Sequence, residues 1–122
     1  MDKGFSPSGR QVALMRKIGR YLKGHPDESI TLSQLSQRFG LPVTTLKRYF
    51  RAVYGMPVSD YLRQVRMQKA ARLLRSTDQT VLWVAGQVGY LNGSKFAAAF
   101  KAATGFSPSG YRREEKVSWE IK

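Results

Sequence analysis

The sequence predicts an all-α chain in which a helix-turn-helix unit occurs twice, with a long helix between the two copies. Three observations lead there. Apolar residues recur at helical spacing along most of the chain, glycines and capping residues stand where helices should begin and end, and one half of the chain echoes the other. No alternating run of strand length competes with this pattern. With 122 residues, 42% of them hydrophobic, the chain can bury one core or two small ones that share a helix.

Residues 1–9, rich in Gly, Ser and Pro, read as a flexible arm. The first amphipathic helix spans residues 10–23, with Leu14, Ile18, Tyr21 and Leu22 on one face, and Gly24-His25-Pro26-Asp27 stops it. His25, the only histidine, reads as a loop residue without nearby partners. Thr31 and Gln34 then have the spacing of a capping box, in which the hydroxyl accepts from an early amide and the glutamine reaches back. Leu32, Leu35 and Phe39 point one way, and Gly40 supplies the left-handed residue that ends this helix. Its partner spans residues 43–54, with Leu46, Tyr49, Phe50 and Val53 inward, Thr44, Lys47, Arg48 and Arg51 outward, and Gly55 closing it. Pro42 offers no capping hydroxyl at its start.

A long helix follows over residues 58–75, burying Leu62, Met67, Ala70, Leu73 and Leu74 and turning Arg63, Lys69, Arg72 and Arg75 outward. After the polar break of residues 76–79 come helices at residues 81–88 and 93–103, the latter capped by Asn92. Gly86 interrupts the former at a cost of about 1 kcal/mol relative to alanine. Residues 108–115 form the last element and residues 116–122 a tail. The organisation is thus an N-terminal unit of residues 10–57, a linker helix of residues 58–76 and a C-terminal unit of residues 77–115.

The internal repeat is the most informative feature. At an offset of 49, Thr31, Leu32, Leu35, Phe39 and Gly40 match Thr80, Val81, Val84, Val88 and Gly89. After one extra residue, Leu46, Phe50, Gly55 and Tyr61 match Phe96, Phe100, Gly105 and Tyr111 at an offset of 50. The matched positions are a helix cap, core apolars, turn glycines and a tyrosine beyond the second helix. The segment Gly-Phe-Ser-Pro-Ser-Gly also occurs twice, at residues 4–9 and 105–110, outside this register; it reads as coincidence or as an engineered junction.

Charge narrows the partner. Twenty-one Lys and Arg face eight Asp and Glu, a net charge of +13. From Ser29 to Arg113 there are thirteen basic residues against only Asp60 and Asp78. Such an excess points to a polyanion, because Lys and Arg on phosphates release condensed counterions. A solubility-tuned basic surface and an anionic membrane are the competing readings. A helix-turn-helix places its second helix in the major groove. Two such units on a spacer would therefore reach two successive major grooves of duplex DNA, roughly 34 Å apart. The alternative is a repeated packing unit with no DNA role.

Other classes lack support. There is no paired-carboxylate pattern, Ser-His-Asp set, phosphate-binding loop or metal-ligand cluster, so no enzymatic activity, cofactor or metal is expected. With no cysteine there is no disulfide and no thiolate nucleophile. No run of about 18 apolar residues and no cleavable leader is present, so a soluble, cytoplasmic protein is expected; with DNA as its partner it is expected to be nucleoid-associated.

The stretches LSQLSQRFGLPVTTLKRYF (residues 32–50), YLRQVRMQKAARLL (residues 61–74) and VAGQVGYLNGSKFAAAFKAATGFSPSGYR (residues 84–112) resemble the DNA-binding domain of the AraC/XylS family of bacterial transcription regulators. The last is similar to the family signature: a small-residue helix, Gly-aromatic, a polar turn, Phe-x-x-x-Phe, then Gly-x-Ser-Pro-x-x-Tyr-Arg. The resemblance implies seven helices in two lobes joined by the long helix. It also implies sequence-specific binding of double-stranded promoter DNA, usually as an activator that touches RNA polymerase, and the isolated domain is expected to be a monomer. Most family members carry a separate effector or dimerisation domain; a few consist of this domain alone.

The expected base contacts in the first unit are Thr44, Lys47 and Arg48, where the family's base-reading positions fall. Arg or Lys donates to guanine O6 and N7, and threonine's methyl meets that of thymine. The bland alternative leaves Lys47 and Arg51 on phosphates, which orient without specifying. In the second unit Ser94, Ala97 and Ala98 are the candidate base contacts; two alanines can meet thymine methyls but make no bidentate pair. Phosphate contacts are assigned to Thr31, Arg51, Arg66, Thr80, Gly93 and Lys95. Lys95 stands in a first helical turn, where a cation opposes the dipole unless a phosphate sits there. The first unit should discriminate and the second anchor. Arg66, on the inner side of the long helix, is expected to tie the lobes or meet a phosphate. Trp83 reads either as ordinary partial burial or as a contact for polymerase or another domain.

Overall fold

The computed structural model describes residues 5–121, which contain seven α-helices and no strand. They are α1 Gly9–Gly24, α2 Leu32–Phe39, α3 Val43–Tyr54, α4 Val58–Ser76, α5 Val81–Gln87, α6 Gly93–Thr104 and α7 Pro108–Ile121. The chain divides into two compact units between Arg63 and Gln64, inside α4. α4 therefore serves both units. Its first turns supply Val58 and Leu62 to one core, and its later turns supply Met67, Ala70 and Leu74 to the other.

In the first unit the core joins Met15, Ile18 and Leu22 of α1 to Leu35 of α2 and Leu46 and Phe50 of α3. Residues 15, 18 and 22 fall on one helical face, which is why α1 buries that stripe. Gly19 lies on the same face because Tyr54 rests against it. A Cβ there would overlap the tyrosine hydroxyl and come within 2.6 Å of its Cζ. The Tyr54 ring in turn sits 4.5 Å from Phe50 and 4.6 Å from Tyr61. Burial first, and then the neighbouring Tyr54, push the Tyr61 phenol above its usual pKa.

The second unit has the same plan. Val84, Ala85 and Val88 meet Phe96 and Phe100 of α6, over Met67, Ala70 and Leu74. The repeat seen in the sequence recurs in matching backbone hydrogen bonds. Leu35 N–H donates to Thr31 at 3.0 Å, as Val84 does to Thr80 at 3.0 Å. Across the turn, Leu41 donates to the Ser36 carbonyl at 3.1 Å and Tyr90 to that of Ala85 at 2.9 Å. Gly40 and Gly89 sit in these turns at φ of 69° and 85°, where a side chain would strain the backbone. Beyond the second helix, Phe50 meets Tyr61 edge-on at 5.4 Å and 79°, and Phe100 meets Tyr111 at 5.3 Å and 76°.

Several expectations need correction. Residues 1–4 of the expected arm lie outside the described residues, but residues 5–8 lead directly into α1. Ser8 caps that helix with a full box: its amide donates to Gln11 Oε1 at 2.7 Å, and the Gln11 amide donates to its hydroxyl at 3.2 Å. The expected tail is helical as far as Ile121, and Lys122 lies outside the described residues. The two copies of Gly-Phe-Ser-Pro-Ser-Gly both run into the first turn of a helix, with different residues as the cap. In the first the second serine, Ser8, caps α1; in the second Ser107, the first serine, accepts from the Gly110 amide at 3.0 Å as α7 begins. His25 does have partners: its Nδ1 lies 2.8 Å from the Tyr21 carbonyl and its ring stacks on Tyr21 at 4.3 Å.

Among the described residues no helix is long and apolar enough to cross a membrane. The two glycines inside helices should respond oppositely to alanine. Around Gly86 a Cβ would meet nothing within 4 Å, so Gly86→Ala should stabilise by about 0.5–1 kcal/mol through helix propensity. Gly19→Ala should destabilise by about 1–3 kcal/mol, because Tyr54 must leave its aromatic neighbours. Urea unfolding of both variants measures the pair.

Candidate nucleic-acid interface

Phe50 and Leu46 are fully buried, and this fixes which way the rest of α3 faces. Thr44, Lys47, Arg48 and Arg51, at the i, i+3, i+4 and i+7 spacing, are all exposed and form one outward stripe. Pro42, the N-cap, gives α3 no side-chain hydrogen bond, so no cap side chain satisfies its first-turn amides. Thr31 is exposed and caps α2, accepting from the Gln34 amide at 3.1 Å. Its own hydroxyl proton remains a donor suited to a phosphate oxygen.

Arg48 has a neighbour that the sequence reading did not foresee. Its Cζ lies over the Phe5 ring, 4.1 Å from the centroid. Phe5, Ser6 and Pro7 line one side of a cleft whose other side is Arg48, Arg51, Ala52 and Gly55. The available signals were a lone aromatic in a Ser/Pro segment and the capping-box spacing of Ser8 and Gln11.

In the second unit Asn92 caps α6 as expected, its Oδ1 accepting from the Lys95 amide at 3.0 Å. Ser94, Lys95 and Ala98 are exposed, whereas Gly93 and Ala97 are half-buried. Gly93 lies against Leu82, whose Cδ1 would be 3.6 Å from an added Cβ. Gly93 and Ala97 are therefore less open than their helical positions implied. Thr80 is exposed and accepts from the Trp83 amide at 3.0 Å. Arg66 is half-buried within its own unit, with its Cζ 5.7 Å from the Tyr90 ring centroid. Trp83 is 38% exposed, and two apolar neighbours not singled out beforehand are more so, Leu82 at 65% and Leu91 completely.

Away from these stripes, Tyr21 gathers a polar cluster at the end of α1. Its hydroxyl donates to Glu28 at 2.8 Å, the bond that chiefly raises its pKa, and the Arg38 guanidinium lies over its ring at 4.6 Å. Among the described residues no group of three His, Cys, Asp or Glu side chains could hold a metal ion. The arrangement offers cations, hydroxyls and small apolar groups on helical faces, which suits non-covalent recognition of a polyanion. Removing the α6 cap by Asn92→Ala should lower stability by about 1 kcal/mol, read as a lower melting temperature of the whole chain.

Residues 35–114 match the family of proteins described as "Helix-turn-helix domain". The chain is similar to the HTH-type transcriptional activator AarP of Providencia stuartii, with 32% identity over 102 residues that cover 84% of this chain and 76% of AarP. Other curated relatives are longer, and the chain spans 35% of one and 38% of another. Among solved structures, the C-terminal domain of the response regulator AraT from Geobacillus stearothermophilus aligns with a TM-score of 0.80 at 32% identity, covering 83% of this chain and 84% of that one. The DNA-binding domain of the global transcriptional factor AdpA, solved in complex with a target DNA, aligns with a TM-score of 0.81 at 26% identity, covering 85% of this chain and 94% of that one.

Proposed function

The chain belongs to the AraC/XylS family of transcriptional regulators as a DNA-binding domain, and from that premise we propose that it binds promoter DNA sequence-specifically, as an activator, with α3 and α6 each entering a major groove. The observation that carries this reading is the exposed stripe of Thr44, Lys47, Arg48 and Arg51 above a fully buried Phe50. A cationic row on one helical face fits a groove that presents guanine O6 and N7 between two rows of phosphates. The repeat of the same unit supports a second groove contact, one helical turn along the same duplex.

Within this reading Thr44, Lys47 and Arg48 contact bases, and Arg51 meets a phosphate. In the second unit Ser94 and Ala98 face the bases, with half-buried Ala97 at their edge. Thr31, Thr80, Gly93, Lys95 and Arg66 hold the backbone. Discrimination then falls mainly to α3, because alanines supply methyl contact without paired hydrogen bonds. Contact with RNA polymerase, a monomeric DNA-free state and residence on the nucleoid complete the proposal. The first is supported by the similarity to AarP, named as an activator; the other two rest on the family resemblance alone.

Selecting bound duplexes from a random library tests the reading. A defined motif should emerge, and Arg48→Ala should weaken binding to it by about 1–3 kcal/mol while relaxing preference at one base pair. Equal losses on selected and random duplexes would instead mark a protein that packages DNA by charge alone, with affinity governed only by salt.

A further inference from the structure

We infer that Phe5 is a positioning residue for Arg48, so that the segment ahead of α1 belongs to the DNA-reading face; this rests on the proposed role of α3. The geometry forms a closed circuit. Phe5 places its ring over the Arg48 guanidinium at 4.1 Å and beside the Tyr49 ring at 5.2 Å. Tyr49 accepts a hydrogen bond from Gln11 Nε2 at 2.9 Å, and the other end of that same amide, Oε1, accepts from the Ser8 backbone at 2.7 Å. Ser8 is the N-cap of α1, only three residues after Phe5. The segment is therefore fastened to α3 at both ends, by the Phe5 ring and by the cap.

The contact has a chemical consequence. An arginine on an exposed helical face holds many rotamers, and fixing them on binding weakens affinity. A guanidinium over an aromatic ring engages the ring with its face, whereas bidentate pairing with guanine uses the in-plane N–H groups of its edge. The two contacts are compatible, so the ring can hold the guanidinium while its edge reads a base. Phe5 touches no base in this account. It acts through Arg48.

The test uses the complete chain and a fluorescein-labelled duplex carrying the selected motif, read by anisotropy. Phe5→Ala and Phe5→Leu should each weaken binding about two- to fivefold, since leucine keeps the apolar bulk but not the π face. Phe5→Tyr should stay within about twofold of the original chain. In an Arg48→Ala background the Phe5→Ala loss should vanish, and it should also vanish on a duplex altered at the base pair that Arg48 prefers. Unchanged melting temperatures for Phe5→Leu and Phe5→Tyr keep the comparison free of folding effects. Original affinity for Phe5→Ala and Phe5→Leu, tighter binding by either, or an equal loss without Arg48 overturns the inference. If Arg48→Ala itself leaves base preference intact, the reading of α3 fails; if preference is lost and the Phe5 variants bind normally, only the positioning role fails.

Discussion

In each unit a phenylalanine at the middle of the second helix is locked edge-on by a tyrosine from the helix that follows, Phe50 by Tyr61 and Phe100 by Tyr111. Burying such a ring contributes about 1.5–3 kcal/mol, and the edge-to-face contact adds to it. Turning α3 by one residue would expose Phe50 and carry charged side chains of the stripe toward an apolar core, where an unpaired charge is far costlier. The outward stripe is thus a consequence of the inward ring. Whatever α3 presents to a partner is set by what it hides.

Much of this was legible in the sequence because it is local. Caps are short-range chemistry, and Thr31-x-x-Gln34 and Asn92 perform as their spacing implied. Gly40 and Gly105 occupy left-handed backbone at the ends of α2 and α6, where the helical pattern breaks. The buried leucines and phenylalanines follow one helical period. The exposed cationic stripe follows from the same period, read from the other side.

What the sequence did not disclose depends on contacts distant along the chain. Phe5 meets Arg48 and Tyr49 across more than forty residues, and no local pattern in a Ser/Pro segment announces that partner. The burial of Gly19 depends on where Tyr54 arrives, and the half-burial of Ala97 and Gly93 on packing around α6. His25 is the exception: its partner Tyr21 is only four residues back, and the stacking follows from how the chain leaves α1 rather than from residue type. The helical stretch to Ile121 has few apolar residues at core spacing to signal it.

The two units share a backbone plan and differ in what they offer outward: cations on α3, a serine, a lysine and small apolar groups on α6. In the proposed complex both enter major grooves of one duplex, and groove chemistry tests this most directly. Dimethyl sulfate methylates guanine N7 in the major groove and adenine N3 in the minor groove, so its footprint separates the two faces of the duplex. On the selected duplex the account expects protected guanine N7 atoms in the groove read by α3, and protection of any guanine N7 in the groove under α6, about 10 base pairs away. Protection confined to adenine N3, or no protected N7 at all, would contradict it.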